Sequence, residues 1–494
     1  MDLNEITQET IEMVKKATTS GLLVSTGVQG VDLSGLVSLV PVNVPARNNV
    51  SAFPRVIAGA GSQTAVWRAL LNVNGSQPNA AVGMDYAGSL ALVAEQDVYA
   101  PYKPLAMAGR VTLDAVAVAR NYVDALAVSE LQTLNQLFIA QDINIINAQN
   151  WSLGTAPTPT LATATTGGSI PLSTAVYVKC APRSGMNYFY GGADAVGAAQ
   201  NITTGGGTST NTVTASVPAV KGAVAYDWYV GGSATAATQY YYGTTTIASV
   251  VITAIPVAAN AVPALPLISS VAPPANASLA VTDNSFSANY YNGILASTLG
   301  DYGSLGPVTP GLGTASGAVF VDNGGAALTA SGAAIPALDN LNDKLWASVQ
   351  LSPTAYMVAS AQADEISNLM LSSTAALTFL PPTDAQARTN LSGGGYVGTY
   401  INKAAGGVPV SIEVHPHLAP GTIIARTDRV PFPGSNIGSA FQVRCQYDTM
   451  RFDYAANYNP GTLGGGPRYD FEIRSMETLV NFAPVAQGIL ANVA

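Results

Sequence analysis

Residues 112–150 read TLDAVAVARNYVDALAVSELQTLNQLFIAQDINIINAQN, and the other segments take their meaning from this one. From about Val123, the residues Val123, Ala127, Leu131, Leu134, Phe138 and Ile145 recur at helical spacing. Asp124, Glu130, Gln132, Asn135 and Gln136 fall away from that stripe, which predicts a long amphipathic helix over Val123–Asn147. Neither Gly nor Pro interrupts it. At about 1.5 Å per residue the helix would be a rod of roughly 38 Å, and a rod with one apolar stripe needs something laid along it.

Working outward, residues 49–107 alternate in the manner of strands. Thr64, Val66 and Arg68 interleave with Ala65, Trp67 and Ala69, and the runs Leu90–Val93 and Val98–Tyr102 follow. Asn74–Asn79 supply turn chemistry between them, so a long hairpin is expected. Residues 21–48 show little periodicity and read as an extended arm. Arm and hairpin are each marginal alone, so both are expected to lie on a neighbour.

After the helix the composition shifts to Thr, Gly, Tyr and Val. Short alternating runs succeed one another: Val176, Val178, Cys180; Val213, Ala215, Val217; Val224, Tyr226, Trp228, Val230; Tyr240–Tyr242; Val250–Ile252. About seven such strands in about 100 residues predict an antiparallel sandwich. Pro157 and Pro159 precede it, and Pro256, Pro263, Pro266, Pro273 and Pro274 follow it, as expected of a domain inserted into a host. The host resumes near Val281. Ile335, Leu338, Leu341 and Leu345 read as one helix face, Tyr356–Ala359 as a buried strand, and Ile366, Leu369 and Met370 as another helix face. Strand-like runs follow at Val410–Val414, Thr422–Ala425, Phe441–Gln446 and Tyr469–Ile473. Helices and strands mix without βαβ alternation, which predicts an α+β class.

Composition narrows the function. Of 494 residues, 48% are hydrophobic, enough for real cores, yet only 10% are charged where about 25% is usual. A surface so neutral favours self-association. The net charge of -9 argues against nucleic-acid binding through a basic stripe. Residues 1–21 carry Asp2, Glu5, Glu9, Glu12, Lys15 and Lys16, unlike a signal peptide, and Leu3, Ile6, Met13 and Val14 suggest a short amphipathic helix. No apolar run reaches the length of a membrane span. Cys180 and Cys445 lie far apart in no metal spacing and are expected as two unpaired thiols in a reducing compartment.

Catalytic signatures are sparse. There is no Gly-Lys dipeptide for a Walker loop and no Gly-x-Ser-x-Gly elbow. His415 and His417 flank Pro416, and with Glu413 they are the nearest approach to a metal set; Pro416 makes a strand end and a structural pair the expected reading. Asp364 with Glu365 reads as a helix N-terminus, and Asp470 with Glu472 as one face of a strand. Gly393–Gly395 and Gly464–Gly466 read as turns. No catalytic, cofactor-binding or metal residue is assigned, and no cofactor; the protein is not expected to be an enzyme.

The order of these parts resembles the major capsid proteins of tailed bacteriophages, the Hong Kong phage type of fold. The resemblance rests on the arm and hairpin, on Tyr102-Lys103-Pro104-Leu105 and Gly109-Arg110-Val111-Thr112 leading into the long helix, and on Val414-His415-Pro416-His417-Leu418-Ala419-Pro420-Gly421-Thr422-Ile423. Gly222-Ala223-Val224-Ala225-Tyr226-Asp227-Trp228-Tyr229-Val230-Gly231 resembles the immunoglobulin-like and fibronectin type III-like insertions of some members. The resemblance implies an N-terminal arm over 1–48, an extended loop over 49–107, a peripheral domain with its spine helix over 108–153, an inserted immunoglobulin-like sandwich over 154–280, an axial domain over 281–425, and a return to the peripheral domain over 426–494. It implies a structural subunit of a virion, assembled in the host cytoplasm as hexamers and pentamers into an icosahedral head. Such a head encloses double-stranded DNA without sequence-specific binding, and scaffold, portal and decoration proteins would be its partners; no membrane is involved. No long charged helical segment precedes the arm, and no residue set matches the covalent cross-link some members form. The alternative reading is a secreted adhesin or carbohydrate-active protein in which the sandwich is an accessory module.

Overall fold

The computed structural model describes residues 52–57, 63–71, 95–119, 124–206, 209–233, 239–256, 289–300, 318–332, 334–372, 397–430, 438–454 and 468–494. The arm over 1–48, the amphipathic N-terminal segment, the hairpin tip and both glycine triplets fall outside the described residues.

The elements begin with β1 (Arg55–Ile57), β2 (Thr64–Leu70), β3 (Glu95–Pro101), β4 (Lys103–Thr112), α1 (Leu113–Ala119) and α2 (Ala125–Asn147). Asp124 caps α2, its carboxylate accepting from the backbone N–H of Leu126 and Ala127 at 3.0 and 3.2 Å. The helix lies on a four-stranded sheet of order β1-β17-β18-β4, in which β17 (Phe441–Tyr454) and β18 (Arg468–Asn481) form a long antiparallel pair. Strand β4 pairs antiparallel with β18 over Lys103–Thr112, and β1 pairs parallel with β17. Leu137 packs on Phe471 and Ile473 with Leu105, Met107, Leu126 and Leu134 around them.

The apolar stripe differs from the expected one. Leu131 is 46% exposed and Ala127 is exposed, while the buried positions are Thr133, Leu137 and the whole run Gln141–Asn147. The cause is that the C-terminal turns are enclosed on every side, so polar residues there face partners rather than water, and the sequence period no longer marks one buried face.

The hairpin also differs. Strands β2 and β3 pair antiparallel, as expected, but their root rests on the chain's own body. Ala65, Trp67, Ala69, Val98 and Tyr102 cluster with Val480, Met476 and Phe482. The Trp67 indole donates to the Asn481 carbonyl at 3.0 Å, and the Leu70 N–H donates to Phe482 O at 2.8 Å. The alternate residues face away, with Val66 60% exposed and Arg68 paired to Asp97 and Glu95.

Residues 160–252 form two antiparallel sheets, order β10-β9-β6-β7 and β11-β8-β5. Their strands are β5 (Thr160–Ala164), β6 (Ala175–Arg183), β7 (Gln200–Thr203), β8 (Thr212–Ser216), β9 (Ala225–Gly231), β10 (Gln239–Thr245) and β11 (Ser249–Ile252), with helix α3 (Gly185–Tyr190) after β6. The alternating residues read from the sequence meet in one core between the sheets: Val176, Val178, Cys180, Val213, Ala215, Tyr226, Trp228, Val230 and Ile252. Seven strands burying a shared interior in this way is sandwich architecture.

Beyond α4 (Ile294–Leu299) come β12 (Val319–Asp322), α5 (Pro336–Val349), β13 (Ala355–Val358), α6 (Ser360–Ser372), β14 (Thr399–Asn402), β15 (Val408–Val414) and β16 (Ile423–Arg426). With the last strand, β19 (Gly488–Ala491), they build a mixed six-stranded sheet of order β12-β19-β16-β13-β15-β14. Leu338, Leu341 and Leu345 of α5 and Ile366 of α6 cover one face through Tyr356, Val358, Ile412 and Leu490. Ile145, Ile146, Ile294 and Leu295 cover the other through Met357, Ile424 and Ile489. The chain is α+β, as the sequence predicted. Residues 426–494 divide between two sheets: β17 and β18 join the sheet under the long helix, and β19 crosses into the six-stranded sheet.

Candidate functional site

Among the described residues the paired carboxylates do not converge into a catalytic set. Asp470 and Glu472 share the outward face of β18, but each is tied into surface ion pairs, Asp470 with Arg110 at 2.8 Å and Arg468 at 2.9 Å, Glu472 with Arg474 at 3.2 Å. Asp364 and Glu365 sit in the second turn of α6 rather than at its N-terminus. Glu365 there accepts from the Leu328 N–H at 2.8 Å and pins a loop. Tyr241 is buried edge-on to Tyr229, with centroids 5.9 Å apart, and Tyr242 donates to Val251 O at 3.2 Å, so the tyrosine run packs the sandwich. Cys180 and Cys445 are buried free thiols.

Two features stand out instead. The first is a limb made of α1, the N-terminal half of α2, β4 and the distal half of the β17–β18 pair. It is two layers thick and half covered. Helix α1 buries no residue, and β4 buries Val111 alone among its ten residues. Strand periodicity turns Ala106, Ala108 and Arg110 outward. Register then places Met450 beside Arg474 and Ala106, and Phe452 beside Glu472 and Ala108, on the sheet face away from α2. Met450 is 50% exposed and Phe452 40%, and Leu113, Leu131 and Tyr469 are exposed on the same limb. The β4 edge opposite β18 carries no partner strand among the described residues. Apolar side chains of this size held at a sheet face and edge, without cover, are what an interaction surface presents.

The second feature is buried and polar. Glu477 on β18, fully buried, accepts from Arg55 at 2.8 Å, from the Tyr291 hydroxyl at 3.1 Å and from Gln141 at 3.4 Å. Arg55 also reaches Asp448 at 2.8 Å and the Cys445 sulfur at 3.4 Å. Burial holds the Glu477 carboxyl above the usual carboxylate range, with the Arg55 guanidinium pulling against it. This one carboxylate ties β1, the long helix, the segment before α4 and the β17–β18 pair together. It went unseen in the sequence because Arg55 and Glu477 lie 422 residues apart.

His415 and His417 are both buried, at the turn after β15. Glu413, the third member read beside them, turns to Arg426 at 3.2 Å. Asp142 of α2 takes that place, 2.5 Å from His417 Nδ1 and 3.7 Å from His415 Nδ1. Among the described residues no group of three such side chains has the arrangement to hold a metal ion, and no helix there is long and apolar enough to cross a membrane.

Among solved structures, the chain is similar to the capsid of a native GTA particle at TM-score 0.38 and 9% identity, covering 90% of each chain. It is likewise similar to a cyanophage A-1(L) capsid protein at TM-score 0.40 and 9% identity, covering 96% of this chain and 95% of that one. An encapsulin from Synechococcus elongatus gives TM-score 0.36 at 10% identity, over 90% and 86%. No protein-family model and no curated protein matches the sequence.

Proposed function

We propose that this chain is a structural subunit that assembles with copies of itself into a closed shell. The half-covered limb carries the reading. Its apolar residues Leu113, Leu131, Met450, Phe452 and Tyr469, together with the β4 edge that carries no partner strand among the described residues, would be buried between neighbouring subunits. The low charge is what a surface given over largely to interfaces requires, since interface cores are depleted in charged residues.

The order of parts supports the finer assignment, a tailed-phage head built of hexamers and pentamers around double-stranded DNA, with the protein resident in the virion. In this reading α2 is the spine and β2–β3 the root of an extended loop. Residues 154–280 are an inserted immunoglobulin-like module on the outer surface, and the six-stranded sheet is the core of the axial unit. A net charge of -9 suits a wall that packaged DNA slides past rather than adheres to. Scaffold, portal and decoration proteins are the partners such a subunit would meet.

Expression of the full chain, alone and with a co-expressed scaffold, followed by electron microscopy and sedimentation, tests the proposal. Capsomers or shells are expected. A monodisperse monomer at every concentration and in both preparations would overturn it.

A further inference from the structure

The cluster of Asp142, His415 and His417 has no part in the reading above, and its position is unusual. Asp142 and His415 are buried almost completely, and His417 nearly so. The turn that carries the histidines is held on three sides. Asn147 of α2 donates to the His417 carbonyl at 2.8 Å, Phe189 of α3 meets the His417 ring edge-on with centroids 6.4 Å apart, and the Val493 N–H donates to Gly421 O at 3.1 Å. Long helix, sandwich and six-stranded sheet therefore meet at one turn.

We infer that this cluster is an acid-operated latch: at neutral pH and above Asp142 closes on His417 while His415 Nδ1 stands beside them without a hydrogen bond of its own, and acidification puts a proton on His415 where the acceptor is already taken and parts the turn from the long helix. The geometry sets up the conflict. One carboxylate oxygen faces both imidazoles, and at 2.5 Å it is committed to His417. His415 Nδ1, 3.7 Å away, makes no hydrogen bond. A proton on His415 would have to share an acceptor already in use.

The charged groups around His415 act in both directions. Burial is the largest influence and opposes a proton; Asp142 favours one, His417 and Arg426 oppose it, and Glu413 favours it weakly, being itself paired to Arg426. The outcome lies below the ordinary value of 6.5. A base held neutral in the folded state contributes stability in full above its ordinary value and loses it as pH falls through the lowered one. The latch therefore weakens on the acid side of neutrality. The neighbouring cores, Leu338, Leu341 and Leu345 on one side and Val178 and Trp228 on the other, contain no histidine and stay closed.

Hydrogen exchange on the full chain at about pH 7.5 and about pH 5, corrected for intrinsic rates, reads the latch directly. Protection of 141–148 and 415–421 is expected to fall severalfold on acidification while that of 338–349 holds, and His415→Gln should abolish the difference. Equal acid response in the wild type and His415→Gln, or none in the wild type, would overturn the inference. Because the chain has two histidines, a ring-carbon NMR titration of the wild type gives two signals and needs no variant. A histidine titrating clearly below the ordinary value supports the latch, and two titrating at the ordinary value refute it.

Discussion

Gly109 on β4 lies directly under the ring of Phe471 on β18, the two residues being paired across the strands. A Cβ at position 109 would fall within 2.7 and 2.8 Å of Phe471 Cε2 and Cε1, closer still to Cζ, in a ring that is itself buried and capped by the Arg451 guanidinium 5.2 Å from its centroid. Gly109→Val should therefore destabilise the limb by about 1–3 kcal/mol through overpacking. Denaturant unfolding measures it, and Gly109→Ala with Phe471→Leu should show a favourable coupling in a double-mutant cycle, the smaller side chain making room for the methyl.

Within the sandwich, Arg183 and Asp227 form an ion pair at 2.7 Å with both side chains essentially inaccessible, and Thr244 donates to the same carboxylate. Removing one member leaves the other charged and buried, so Arg183→Met should cost about 3–5 kcal/mol, whereas Arg183→Met with Asp227→Leu should cost less than the single change. Burial already pushes the Asp227 carboxyl up, and without Arg183 only the Thr244 hydroxyl is left to oppose it. An acid whose folded form prefers the proton loses stability as pH rises, so Arg183→Met should regain stability as pH is lowered toward the carboxylate range. Exchange in β6 and β9 across that range checks the sign.

What the sequence disclosed was local. Val176, Val178 and Cys180, or Leu338, Leu341 and Leu345, declare their buried face through spacing alone, because a strand or helix carries its period within a few residues. The pairs that fasten the units together have no such signature. Asp142 and His417 are 275 residues apart, and what joins them is a polar contact inside a helix turn closed off on all sides. The same closure hides the orientation of the C-terminal half of α2. Once Gln141–Asn147 are all enclosed, hydrophobicity stops reporting orientation, and Leu131 turns out to face solvent. The support of the hairpin root is invisible to local sequence, because Val480 and Phe482 come from the far end of the chain.

Neither thiol should react in the native state. Burial raises the Cys180 thiol far above its ordinary value, and it raises the Cys445 thiol to about 12 although Arg55 stands beside it. A thiol-disulfide reagent at neutral pH is expected to modify no cysteine in the folded protein and both after denaturation. Modification of Cys445 in the folded protein would show that β1 lifts away from β17, since Arg55 of β1 lies 3.4 Å from its sulfur.

The limb residues separate folding from assembly. Leu131 is 46% exposed on the helix surface, so Leu131→Glu should stay within about 0.5 kcal/mol of the parent in unfolding, whereas Phe452→Glu gives up the ring contact with Tyr447 and faces Glu472 across the strands, and should cost about 1 kcal/mol while still leaving the subunit folded. In a subunit interface the same carboxylate must be desolvated against an apolar neighbour, which costs far more. Both variants should therefore sediment as folded, unassembled subunits under conditions where the parent forms shells. Leu371→Glu, an equally exposed leucine on α6 away from the limb, is the control and should leave assembly as it was. Shells forming unchanged from both limb variants would mean that copies meet through some other surface, and the half-covered sheet and helix would then need another partner.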